Sequence, residues 1–209
     1  MNHSISRTAH ALAILTSAWA FAHCATAQEA IPLEEARRIA QKLASIPTGD
    51  KDQPFIVNVD AFKPVGIKGG DAGVLLLPDN RLNTDALTKV DKAFTPIAQF
   101  WTYKVTMADN GKILDRSKVR IITVSDQETS RDVQFFLLGA VKNEKGEVEL
   151  VAFSKGSEPV LRVPLAKGGA DHDFPIEISA RGTGDNSAAL TLNLPGQYTV
   201  DLSMVKVDD

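Results

Sequence analysis

The chain has a single cysteine, Cys24, and it lies in an N-terminal segment with the layout of a cleavable export signal. Beyond Ala27 there is no cysteine, which excludes a disulfide, a thiolate nucleophile and a thiolate metal site from the remainder. Histidine is almost as scarce. His3, His10 and His23 fall in the leader, leaving His172. A multi-histidine metal centre within one chain is therefore excluded, and a Ser-His-Asp triad has one available base. General acid–base work otherwise falls to carboxylates, lysine or tyrosine. No apolar run reaches the roughly 20 residues a helix needs to cross a bilayer. The charges are interspersed, without the basic patch that nucleic-acid binding requires. The one Asn-x-Ser/Thr sequon, Asn2-His3-Ser4, also belongs to the leader.

The leader has three parts. Met1 to His10 is polar, with Arg7 as its positive charge; Ala11 to Ala22 is apolar apart from Thr16 and Ser17; Ala25-Thr26-Ala27 supplies the small-x-small pattern that signal peptidase accepts. The expected cleavage is before Gln28. Acylation of Cys24 is the rival, and His23 stands where lipoprotein signals carry a small residue. Losing the leader removes Arg7 and no acid, which moves the net charge from −3 to about −4. An exported domain without disulfides or sequons suits the periplasm or exterior of a bacterium. The expected organisation is a leader over 1–27 and a single β-rich domain over 28–209.

The first element is expected to be a helix over 33–45. Pro32 suits a helix start, Glu34 and Glu35 sit in the first turn, and Ala36, Ile39, Ala40 and Leu43 form a narrow apolar stripe. Glu34 and Arg38 are spaced to pair, and Pro47 ends the helix. Such a stripe covers a sheet edge or the end of a barrel. From Phe55 onward the chain reads as strands. Phe55, Val57 and Val59 alternate with Ile56, Asn58 and Asp60; Gly73 to Leu77 is a short apolar run; Asp85 to Lys92 makes a helical turn capped by Thr84; Ile97 to Met107 is one strand, turned by Asp109-Asn110-Gly111.

Val133 to Val141 is apolar on both phases, the mark of a strand buried on both faces. Asn143 to Gly146 turns it into Val148 to Phe153, and Val160 to Leu165 follows. The last three strands alternate cleanly, with Phe174, Ile176, Ile178 and Ala180, then Leu190, Leu192 and Leu194, then Tyr198, Val200, Leu202 and Met204 pointing inward. Val205 and Val207 change phase, which predicts a bulge near the end. Many short strands with turn signals, and no helical crossovers, give a mostly β fold: an antiparallel β-sandwich or barrel with one short N-terminal helix.

Four groups of residues carry candidate chemistry. Asp171, His172 and Asp173 supply two carboxylates and an imidazole for a divalent cation, in what also reads as a solvated loop. Trp101 and Tyr103, two apart on a strand, share a face on which a sugar ring can stack, though core burial is the ordinary use of such a pair. Gly66 to Gly73 offers backbone amides and Lys68 to an anion, without the Gly-Lys-Ser/Thr ending of a phosphate loop; glycine-rich strand connections look the same. Asp79, Asp85 and Asp91, and Asp126, Glu128 and Asp132, hold oxygens for calcium at spacings unlike a calcium loop. The Ser117-Lys118 and Ser154-Lys155 steps place neighbours on opposite faces of a strand, which rules them out as dyads.

No catalytic or cofactor-binding residue stands out. The sequence therefore points to a non-enzymatic module that binds a protein, glycan or small ligand or supports an assembly, without nucleic acid, transmembrane segment or cofactor beyond a divalent cation. Two alternatives remain. One is a carboxylate-dependent hydrolase acting on a cell-envelope or imported polymer, which needs a cleft with two carboxylates and one raised pKa. The other is a small-ligand carrier with a hollow barrel.

Overall fold

The computed structural model describes residues 28–49, 51–125, 129–169 and 172–207. The elements in chain order are β1 (Glu29–Ala30), α1 (Leu33–Ala44), β2 (Val65–Gly69), β3 (Ala72–Pro78), α2 (Thr84–Thr88), β4 (Thr95–Tyr103), β5 (Val105–Asp109) and β6 (Lys112–Ile113). A 3₁₀ turn at Arg116–Lys118 leads into β7 (Arg120–Ser125), β8 (Ser130–Lys142), β9 (Val148–Phe153), β10 (Leu161–Pro164), β11 (Ala166–Lys167), β12 (Glu177–Gly184), β13 (Ser187–Leu194) and β14 (Tyr198–Lys206).

The strands form two antiparallel sheets, sandwich-like in arrangement. The first has eight strands in the order β1-β2-β3-β4-β8-β9-β10, with β7 also paired to β8. The second has six in the order β12-β13-β14-β5-β6, with β11 also paired to β14. Each sheet has one long strand whose edge is shared end to end. β8 takes β7 along 130–135 and β9 along 137–142. At the β7–β9 junction the Ser154 hydroxyl accepts from Arg120 N at 2.7 Å and donates to Phe135 O at 2.6 Å, bridging the gap as a water would.

Strand alternation explains the core. One phase of the first sheet, Val74, Leu76, Phe100, Phe136, Leu138, Leu150 and Ala152, packs against Leu190, Leu192, Val200, Leu202 and Met204 of the second. The other phase, Leu75, Leu77, Trp101, Phe135, Leu137, Val151 and Phe153, meets Ala36, Ala40 and Leu43 of α1, together with Val57. The helix therefore covers the outer face of the first sheet, and the inner strands of that sheet are buried on both sides, as Val133 to Val141 predicts. Each large apolar side chain so enclosed contributes about 1.5–3 kcal/mol.

Several local expectations are corrected. Glu34 pairs with Arg37 at 2.7 Å rather than Arg38. The cap of α2 is Asn83, whose Oδ1 accepts from Ala86 N at 2.9 Å. Residues 55–60 keep the expected burial alternation but join the sheet only by one bridge, Val59 to Asp79. The glycine cluster is the β2–β3 hairpin: Gly69 pairs with Ala72, and Gly70 takes φ +60 in the two-residue turn. Phe174 lies ahead of β12 and is exposed. No bulge follows Met204. Pairing of β14 with β13 runs unshifted from Tyr198 to Val205, and the irregularity falls between Gly182 and Gly184.

The largest correction concerns the stretch 97–107. It is two strands in two sheets, joined at Lys104 with φ 56. This left-handed conformation costs a non-glycine residue roughly 1–2 kcal/mol. Two contacts hold it. Lys104 Nζ reaches Asp71 at 2.9 Å in the β2–β3 turn, and Val207 N donates to Lys104 O at 3.0 Å.

Candidate functional site: the cleft at the sheet crossover

Where the chain crosses between sheets, they stop covering each other. The second sheet ends in β6, two residues long, while β7 extends the first sheet past it. The inner row of β7 is left without an opposing strand, and a cleft of about 90 Å³ opens there. Ile113 (47 % exposed) and Ile121 (36 % exposed) line it, with Leu114, Val119 and Val207 completing the apolar lining. The polar lining is Thr102, Lys104, Thr106, Arg116, Asp132 and Gln134.

Cross-strand register sets the polar row. Thr102 of β4 faces Gln134 of β8, which faces Ile121 of β7. Thr106 Oγ1, just past the crossover, donates to Gln134 Oε1 at 2.6 Å and fixes the amide's orientation. The Gln134 nitrogen then has no acceptor among the described residues. The Thr102 hydroxyl, on a residue 1 % exposed, has no partner among the described residues. An unpaired buried hydroxyl costs roughly 1–3 kcal/mol of desolvation. Arg116 is exposed and forms no ion pair among the described residues. Asp132 accepts from Thr123 Oγ1 at 2.7 Å.

Beside the cleft, Asp71 receives both Lys104 (2.9 Å) and Lys206 (3.1 Å). Hydrogen bonds from these two ammonium groups lower its pKa to about 2. The clamp links the β2–β3 turn, the crossover and the end of β14, so it ties the two sheets together beside the cleft.

The sequence-based candidates are dispersed. Trp101 is 2 % exposed, packs against Phe135 at 4.7 Å between ring centres and donates Nε1–H to Gln99 Oε1 at 3.2 Å. Its ring is closed to sugar stacking because it faces α1 and the segment after it. Tyr103 is half-buried, with Lys104 and Arg131 within 6 Å of its ring centre. His172 and Asp173 line an open depression with Phe174 and Glu177, and Asp171 lies outside the described residues. The His172 Nδ1 contacts Phe174 O, and its Nε2 is buried without a partner among the described residues. Among the described residues no three His, Cys, Asp or Glu side chains gather around a common point.

The acidic groups are separated as well. Asp79 holds the turn after β3, Asp85 pairs with Lys89 at 3.3 Å, and Asp91 caps Ala93 N at 2.7 Å. Asp126 and Glu128 lie outside the described residues. Ser117-Lys118 lies in the 3₁₀ turn rather than on a strand, with Ser117 Oγ bonded to Asp115 at 2.8 Å.

Sequence reasoning missed the cleft because its residues come from five separate stretches. The one available signal was Ile121, whose apolar side chain sits in phase with the polar Thr123 and Ser125 on a short strand. Fold and cleft together define a mostly β protein of two antiparallel sheets with a recess at the crossover. Comparison with protein-family profiles, curated proteins and solved structures found no match to this chain. No helix among the described residues is long and apolar enough to cross a membrane.

Proposed function

We propose that this chain is an exported bacterial envelope protein, processed before Gln28, that works as a binding module and takes a small ligand at the crossover cleft. The carrying observation is the union, in one recess, of two exposed isoleucines with donors that have no acceptor among the described residues: the Thr102 hydroxyl, the Gln134 amide nitrogen and the Arg116 guanidinium. Apolar walls with a few convergent polar groups are the usual composition of a ligand site. The hydrolase alternative needs two carboxylates in a cleft, one with a raised pKa. This cleft is lined by one, Asp132, and the carboxyls with displaced pKa values, Asp71, Asp79 and Asp115, are all lowered.

The test is native mass spectrometry of the protein purified from the envelope fraction of its own host. The covalent mass is expected to begin at Gln28, with a non-covalent adduct that the variant Ile113→Asp/Ile121→Asp loses while remaining folded. A retained leader or an acylated Cys24 overturns the processing. A bare protein, or an adduct that the variant keeps, overturns the cleft as the binding site.

A further inference from the structure

We infer that the cleft recognises a free aliphatic amino acid in its zwitterionic form; this rests on the cleft being the ligand site. Three features of the lining specify that class. The first is charge of both signs. Arg116 is a cation without an ion-pair partner among the described residues, and Asp132 is a carboxylate whose side chain accepts from the Thr123 hydroxyl at 2.7 Å. Lys104 is already engaged by Asp71. A plain anion would meet Asp132 and a plain cation would meet Arg116, whereas an α-carboxylate with its α-ammonium satisfies both.

The second is size. The recess measures about 90 Å³. That space seats a short branched alkyl chain, and the charged groups of the ligand stay at the open mouth with the exposed Arg116 and Asp132. The third is the walls. Ile113, Ile121, Leu114 and Val119 are aliphatic, and the two isoleucines are exposed where a bound alkyl group would cover them. Thr102 and Gln134 add two further polar groups to the lining.

Binding is read by NMR titration, following the Ile113 and Ile121 methyls and the Gln134 side-chain amide. The probes are L-valine, isovalerate, which lacks the ammonium, and isobutylamine, which lacks the carboxylate. Valine is expected to shift all three signals and to bind at least about threefold more tightly than either single-charge analogue, the scale of one exposed ion pair. Arg116→Gln should weaken valine by a similar factor and leave isobutylamine no weaker. Asp132→Asn keeps the acceptor for Thr123 but removes the charge that repels an anion, so it should weaken valine and leave isovalerate no weaker.

Isovalerate or isobutylamine binding as tightly as valine overturns the zwitterion, and so does indifference of valine to both variants. Failure of all three probes, beside a native adduct that Ile113→Asp/Ile121→Asp still abolishes, overturns the ligand class and leaves the binding site in place. Failure of both experiments removes the site itself.

Discussion

Gly139 offers the sharpest test of the three-layer packing. It sits in β8 between Pro96 and Val151, on the phase that faces the segment after α1. A Cβ placed there would lie 2.7 Å from Phe55 Cζ, 2.9 Å from Phe55 Cε1 and 3.3 Å from Thr95 O. Ordinary carbon contact begins near 3.4 Å, so the ring must move. Phe55 is not free to do so without loss, because it packs on Phe94 and edge-on to Phe153, each at 5.7 Å between centres. Each ring pair contributes roughly 0.5–1.5 kcal/mol, and overpacking costs about 1–3 kcal/mol. Against this, Gly139 does not occupy the left-handed region, so alanine gains about 0.4–1 kcal/mol from the stiffer unfolded chain.

The net for Gly139→Ala is a loss of about 1–2 kcal/mol, a fall in the urea midpoint on the order of 0.5–1 M. On a Phe55→Leu background the same substitution should be neutral or slightly stabilising, giving a coupling of roughly 1–2 kcal/mol in the double-mutant cycle. Gly182→Ala is the control. Its Cβ would meet open space, and stability should rise by about 0.4–1 kcal/mol. If Gly139→Ala has the same effect with and without Phe55, the segment 46–62 does not seat on the first sheet as described, and the reasoning fails.

Leu137→Ala removes a side chain buried in the same outer cluster and should cost about 2–5 kcal/mol in urea denaturation; a loss below about 1 kcal/mol would contradict burial of β8 on both faces. Burial alone would raise the pKa of Asp79, but hydrogen bonds from Arg81 and from the backbone N–H groups of Arg81 and Asn58 outweigh it, and the net shift is downward. Its contribution is therefore complete above the ordinary aspartate range near 4 and is lost as pH falls through the lowered value. Asp79→Ala should cost roughly 2–4 kcal/mol at neutral pH and flatten the acid limb of stability against pH; parallel limbs in the two proteins would refute the assignment. His172→Ala should change stability by no more than about 0.5 kcal/mol in thermal denaturation, because its Nε2 has no partner among the described residues; unfolding would show that the loop before β12 is structural.

Burial phase was legible because it is written in consecutive residues. The alternation in β12, β13 and β14, and the two-faced run in β8, require only that neighbouring side chains point opposite ways. The same rule explains why Phe55, Val57 and Val59 looked like a strand. Their burial does alternate, but the pattern reports a buried face and carries no information about whether a hydrogen-bonding neighbour lies alongside. The outer covering by α1 was missed for a related reason. A narrow stripe at helical spacing says that a helix packs on something, and the two-phase apolar runs of β3, β8 and β9 had to be matched to that stripe before its partner was defined.

The crossover at Lys104 shows where local reading ends. Positive φ is legible at Gly70, or at Asn110 with Gly111, because those residues tolerate it intrinsically. Lysine does not, so nothing near Ile97 to Met107 announces a break, and the apolar pattern runs through it. The conformation is imposed from outside by Asp71, 33 residues upstream, and by the backbone of Val207 at the far end of the chain. The cleft inherits that non-locality. Its walls are ordinary strand residues, and they became a recess only because Lys104 sends one strand into the second sheet while β7 continues the first. Val207 fits the same account. Its change of phase looked like a bulge in the last strand, yet the pairing is unshifted and its side chain lines the cleft. The residue that broke the sequence pattern was thus already marking the site, in a form that could be read only once the crossover was known.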